Sequence, residues 1–437
     1  MRKRFFKKAL ALTLASTMAF SMVGCGSSKD SSEGKSDDGT ITLNVWHQWS
    51  NDTNELKSRY EEAVKAYEKE NPKVKIKTET LDTEAYKTKI NAEFAGDAKG
   101  IDVFYWWGAG TAKKLVDAGK VMPLDDYITD EVKSNMMEGS TSAFEYDGKL
   151  YSVPMFSWYM TLFCNKALFE KAGAKLPNTY DELADAVKKL EKLKGVTPMA
   201  AGAKDGWNAA FVYQALALRE VGATGVNEML SGKKEFGDEG YTKAAEKVKD
   251  LYEMGAFGDN PLEQGNDDAN AAFENGKAAM RIMGSWFANN VYTDKAATVK
   301  PEDVVALKIP TISDGKGEAT DYCGGFVESF WVNNNTKYKE EAAKFAIYIN
   351  EKMGVASYET GSGFSGWEKK ADESKLNPLF IQIKDLLSEG KQGVLAWDTS
   401  LEAEPAAVHN EQVQTLFADG ADVKAFIEEH KAAINGK

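Results

Sequence analysis

The chain has 437 residues, with 54 basic and 67 acidic side chains and a net charge of −13. That balance excludes nucleic acid and anionic membrane surfaces as electrostatic partners. Cys164 and Cys323 are the only cysteines besides Cys25, and the three histidines (His47, His409, His430) lack metal-ligand spacing, so neither a disulfide framework nor a metal or other cofactor is implied.

Five of the first eight residues are Arg or Lys, and a fifteen-residue apolar stretch (9–23) leads to Gly24-Cys25. This pattern reads as a secretory signal over residues 1–25, too short to span a bilayer comfortably. "MVGC" resembles a bacterial lipobox, although Met22 and Val23 depart from its usual residues; Cys25 is then the lipid-modified first residue of the mature chain. Residues 26–40 are Ser, Gly, Lys and Asp with almost nothing apolar, the composition of a flexible tether. Residues 1–25 carry five basic and no acidic side chains, so the mature chain has a charge of −18. Its roughly 400 residues are long for one domain and predict two.

Residues 41–49, "ITLNVWHQW", alternate and are β-branched, predicting a strand. Residues 52–70 place Leu56, Tyr60, Val64 and Tyr67 at helical spacing, with Asp52 as N-cap and Asn71-Pro72 as the stop. A strand at 73–81, a helix at 84–97, a strand at 101–106 and a short helix at 111–120 follow. This alternation is the signature of parallel βαβ units, whose ligands sit beyond the carboxyl ends of the strands. "VWHQW" and "FYWWGAG" are both such ends. Further strands are read in 148–165 and 324–332, helices at 166–173 and 179–193, and largely helical sequence in the last hundred residues.

The order and spacing of these segments resemble the extracellular solute-binding proteins of bacterial ABC importers, in the sugar-binding branch that includes maltose- and raffinose-type binders. "LNVWHQW", "YEKENPKVKIKTET", "IDVFYWWGAGTAKKLVDAGKVMPLDDYI", "AFEYDGKLYSVPM", "LFCNKALFEKAGAKLPNTYDELADAVKKL", "FENGKAAMRIMGSW" and "GGFVESFWVNNNTKYKEEAAKFAIYI" carry it, over about residues 41–434. The resemblance implies a periplasmic-binding-protein-like α/β fold of two lobes, joined by crossover strands, with a ligand cleft between them. The expected divisions are 41–160 plus 325–365 for lobe 1 and 161–324 plus 366–437 for lobe 2. It also implies a non-enzymatic, monomeric, lipid-anchored receptor on the extracellular face, which binds a carbohydrate and delivers it to ABC permease subunits.

A pyranose has an apolar C–H face, which flat aromatic rings cover, and a rim of hydroxyls, which carboxylates and amides pair with. The resemblance places Trp107 first among the contacts. Trp106 is the packing residue of the pair, because successive strand side chains point to opposite faces. Trp286 in "GSW" and the pair Trp397 and Asp398 in "VLAWDTS" match cleft positions of the second lobe. Trp207, with Asp205 and Asn208 near it, stands between cleft and core. His47, Gln48 and Trp49 after the first strand, and Asp82 after the second, are further contacts. Trp158 and Trp367 rank lower. Gly361, Gly363 and Gly366 satisfy G-x-G-x-x-G formally, but outside a βαβ unit they fit a hinge or rim loop and not a dinucleotide site. Cys164 and Cys323 are expected as free thiols; a bond between crossover strands is the alternative. Two other readings stay open: the same fold with a non-sugar solute, and a secreted glycoside hydrolase, which needs two carboxylates flanking one bond.

Overall fold

The computed structural model describes residues 39–51, 55–368 and 372–436. The expected signal, Cys25, nearly all of the tether and the Asp52 cap lie outside the described residues.

The strands are β1 (Ile41–His47), β2 (Val74–Thr80), β3 (Val103–Trp107), β4 (Glu145–Tyr146), β5 (Lys149–Leu150), β6 (Phe156–Asn165), β7 (Thr197–Met199), β8 (Ala278–Gly284), β9 (Val304–Leu307), β10 (Asp321–Val332), β11 (Phe364–Ser365) and β12 (Gln392–Val394). The main path runs β2-β1-β3-β10-β6-β8-β7; β9 and β11 also pair with β6, and β12 with β10. β1 is parallel to both β2 and β3, with the helices Glu55–Glu70 and Thr83–Ala95 as connections, so the βαβ reading of the first hundred residues holds. The second of these helices starts where the Asp82 side chain accepts from the Ala85 amide at 3.2 Å. The Tyr180–Leu190 helix starts with a capping box between Thr179 and Glu182, which satisfies backbone donors left free at its first turn.

Two hydrophobic cores lie along this path. The first packs β1, β3 and the end of β10 against the Glu55–Glu70, Thr83–Ala95 and Lys339–Glu359 helices, and it extends to Trp367. The second packs β6 beyond Trp158, with β8 and β9, against the Gly206–Val221, Glu239–Glu253, Ala403–Thr415 and Val423–Ile434 helices. β6 and β10 belong to both. β10 pairs with β3 through Glu328–Val332 and with β12 through Asp321–Cys323. β6 pairs with β11 through Phe156 and Ser157 and with β8 through Met160–Cys164.

Where these two strands run together, Gly324 and Gly325 have φ of +136° and +153°. A Cβ on Gly324 would come within 2.0 Å of the Trp158 carbonyl oxygen, so only glycine allows this approach. The pairing shifts register between Phe326 and Glu328, an irregularity of the kind that bends a strand. Cys164 and Cys323 are free and buried. The 361–366 loop takes no part in a βαβ unit: it carries β11 onto β6, with Gly363 against Phe156 and Gly366 against Pro154.

Candidate functional site: an aromatic cleft

β3 ends in two tryptophans with different surroundings. Trp106 is buried under Tyr86 of the Thr83–Ala95 helix, with ring centroids 6.4 Å apart. Trp107 is half-buried and stands opposite Glu328 in the β3–β10 register. Its indole Nε1 donates to Glu328 Oε1 at 3.2 Å. Burial raises the Glu328 carboxyl to about 7, and the Tyr105 hydroxyl, the Trp107 indole and the Lys87 ammonium hold it from rising further.

The second core contributes an aromatic wall. Trp158 of β6 stacks on Phe211 at 5.3 Å and meets Trp286 edge-on at 5.0 Å. Trp207, in the first turn of the Gly206–Val221 helix, lies edge-on to Phe211 at 5.3 Å and 6.5 Å from Trp286. Trp286 folds back over Gly284, where a Cβ would come 2.0 Å from its ring, so glycine leaves the space in which the ring lies. Buried Arg281 fixes the start of the Trp207 helix. It donates to Asn266 Oδ1 at 2.9 Å and Asn208 Oδ1 at 3.3 Å, while the Asn266 amide donates to Asp205 Oδ2 at 2.7 Å. Burial raises the Asp205 carboxyl, and the charge of Glu84 on the Thr83–Ala95 helix adds to this.

Lys87, on that same helix, joins the two sides. Its Nζ lies 5.1 Å from the Trp107 ring centroid and 5.9 Å from that of Trp207, and 3.1 Å from Glu84 Oε1. Asp398 sits in the short Trp397–Ser400 helix. Its carboxyl is raised by burial and held back first by the Lys87 charge. The Asn410 Oδ1 is buried without a protein partner. The walls also touch directly. Thr111 Oγ1 donates to the Thr399 carbonyl at 3.2 Å, and a Cβ on Gly110 would come within 2.2 Å of the Leu401 carbonyl oxygen.

Of the sequence-predicted residues, the structure brings Trp107, Trp207, Trp286 and Asp398 together. Trp397 does not join them. It is fully buried in the second core against His409, Tyr213 and Tyr241. His47 and Trp49 are likewise corrected to first-core positions. The chain folds inward after β1, so the His47 ring lies 4.3 Å from Tyr60, its Nδ1 accepts from the Trp49 amide, and Trp49 packs on Tyr105 and Phe330. Gln48 is half-buried with an unpartnered Oε1. Asp82 is exposed and spends its side chain on the helix cap. Trp367 is buried, its indole donating to the Pro154 carbonyl at 2.7 Å. Sequence reasoning missed Lys87, Glu328 and Asn410. Glu328 carried a signal, as the one carboxylate in the apolar strand "GGFVESFWV".

The family profile described as bacterial extracellular solute-binding protein matches residues 50–356. The chain belongs to that family. A multiple sugar-binding protein of Streptococcus mutans is 25% identical over 395 residues, 86% of each chain. A galactooligosaccharide-binding protein of Bacillus subtilis is 28% identical over 370 residues, 81% of this chain and 79% of the other. A structure solved in work on xylan utilization by the thermophilic bacterium Caldanaerobius polysaccharolyticus superposes with a TM-score of 0.85 at 36% identity, covering 90% of this chain and 99% of that one. The two-lobed α/β fold of solute-binding proteins, with β6 and β10 as its crossover strands, is the architecture seen here. Two relatives of Pyrococcus horikoshii, 26% and 27% identical, are described as ABC transporter extracellular-binding proteins, and among the described residues no helix is long and apolar enough to cross a membrane.

Proposed function

We propose that this chain is the lipid-anchored extracellular receptor of an ABC importer, binding a sugar or oligosaccharide between its lobes and delivering it to the permease. The two lobes follow the two cores, and closure around the ligand presents the loaded form to the membrane partner. The observation that carries this reading is the pairing of Trp107 from one lobe with Trp207 and Trp286 from the other, rimmed by Glu328, Asp398, Asp205 and Asn410. Flat rings on two sides cover the C–H faces of a pyranose, and carboxylates and amides take its hydroxyls. The names of the relatives agree with it: a multiple sugar-binding protein and a galactooligosaccharide-binding protein.

A thermal-shift screen against mono- and oligosaccharides tests the ligand class, since a ligand bound only by the native state raises the melting temperature. A shift with peptides, polyamines or phosphate esters and none with saccharides sinks the sugar reading. New reducing ends after incubation with oligosaccharides would show a hydrolase instead. The anchor is tested separately: Cys25→Ser expressed in a Gram-positive host releases the protein into the medium, and continued membrane retention contradicts the anchor.

A further inference from the structure

Lys87 stands between the two aromatic walls among four carboxyl groups, of which Asp205 also feels the charges of Lys204 and buried Arg281. Lys87 projects from the Thr83–Ala95 helix to a point between two tryptophans of opposite lobes, 5.1 Å from one ring and 5.9 Å from the other. Four acidic side chains surround that region from four elements: Glu84 on the same helix, Glu328 on β10, Asp398 in the Trp397–Ser400 helix and Asp205 before the Gly206–Val221 helix. The Lys87 charge acts on both Glu328 and Asp398, which come from opposite sides of the cleft. The lysine is less than one-third exposed, so these interactions are only partly screened by water.

We propose that Lys87 sets the charge class of the ligand: the cleft takes uncharged saccharides, rejects acidic ones, and depends on this ammonium to keep from favouring cationic amino sugars. The inference rests on the carbohydrate reading and narrows it. A neutral ring gains on every side, because its hydroxyls accept from the ammonium and donate to the carboxylates while its C–H face covers an indole. A uronate gains one contact with Lys87 but brings its negative charge among four carboxyl groups, three of which burial already pushes toward the neutral form, and a further negative charge there is strongly opposed. Without Lys87 the same carboxylates face an empty centre, which a ligand ammonium would fill. It would lie over the two indole faces, as the lysine does now.

Three proteins test this: wild type, Lys87→Met and Lys87→Arg. The methionine keeps the stem and the helical propensity, and the arginine keeps the charge. Calorimetry uses cello-, xylo- and chito-tetraose, each beside its uronate-bearing counterpart, and chitosan tetraose as the amine. Wild type binds its best neutral tetraose at least tenfold tighter than the matching uronate. Lys87→Met raises the ratio of amine to neutral affinity at least fivefold, and Lys87→Arg restores it. Equal wild-type affinity for neutral and acidic forms, or an unchanged ratio in Lys87→Met, overturns the proposal.

A ligand-free readout separates this claim from the sugar reading. The Trp107 indole N–H resonance in ¹⁵N-labelled protein, assigned with Trp107→Phe, reports ionisation of Glu328 through their hydrogen bond. Its midpoint moves up by at least half a pH unit in Lys87→Met and returns in Lys87→Arg. If no saccharide binds but the midpoint moves, the carbohydrate reading falls while the control of the cleft carboxylates by Lys87 stands; an unmoved midpoint overturns that control.

Discussion

The Trp107 indole donates to the Glu328 carboxylate across the β3–β10 pairing, 221 positions apart in sequence. One cross-strand pair thus places an aromatic ring and a carboxylate side by side. Burial holds the Glu328 proton to about pH 7, against an ordinary value of 4.5. The folded state therefore binds more protons than the unfolded chain between about pH 4.5 and 7, and this group's contribution to stability falls as pH rises through that window. Glu328→Gln removes the ionisation, so its melting temperature at pH 8 exceeds that of wild type and the difference shrinks at pH 5. The same variant loses saccharide affinity. Melting curves that differ equally at both pH values contradict the assignment.

The histidine pair has the opposite sign. His430 Nδ1 lies 2.9 Å from the Phe426 carbonyl and so carries its proton there; His430 Nε2 then accepts from His409 Nδ1 at 3.0 Å, and His409 Nε2 accepts from the Gln214 amide at 2.9 Å. This chain of bonds is complete only with both rings neutral. Burial pushes His430 down to about 4 and His409 well below its ordinary value. Their contribution is fully present above about pH 6.5 and is lost as pH falls toward 4, at up to about 1.4 kcal/mol per pH unit for each ring. Urea midpoints measured from pH 7 to 4.5 should fall in wild type and fall less steeply in His430→Gln, in which His409 and the similarly buried His47 still titrate. An equal slope in both proteins rejects the network.

Trp397 is a core residue and not a ligand platform. Trp397→Ala should cost about 3–5 kcal/mol in urea denaturation, the range for deleting a large buried aromatic. A cost below about 1 kcal/mol means that the ring is not packed as described.

Gly110 passes under the carbonyls of Ser400 and Leu401, which a Cβ would meet at 2.3 and 2.2 Å. Gly110→Ala therefore holds the lobes apart. The expected results are weaker saccharide binding, an unchanged fold by circular dichroism, and a larger radius of gyration in saturating ligand by small-angle scattering. Wild-type affinity and wild-type compaction contradict the close approach.

Much of the fold was legible because it rests on short-range patterns. The alternation of "ITLNVWHQW" and the helical spacing of Leu56, Tyr60 and Tyr67 are set by local physics. The site was legible where the resemblance marked a position, as at Trp286, or where a residue's direction followed from its element. Strand alternation separates buried Trp106 from half-buried Trp107. Nothing local tells which of Trp397 and Asp398 a helix start turns outward, and nothing in "VWHQW" shows the chain folding inward onto Tyr60 and Phe330. Lys87 was invisible for a related reason: a lysine on an amphipathic helix reads as solvated face, and its two tryptophans lie 20 and 120 positions away.

In the proposed complex one saccharide lies between aromatic rings of opposite lobes. Isothermal titration of wild type, Trp107→Ala and Trp207→Ala with the best ligand from the thermal-shift screen tests it most directly. Each variant is expected to bind at least tenfold more weakly, a loss of about 1.4 kcal/mol or more, with both proteins folded. A folded variant of either tryptophan that binds with wild-type affinity contradicts it.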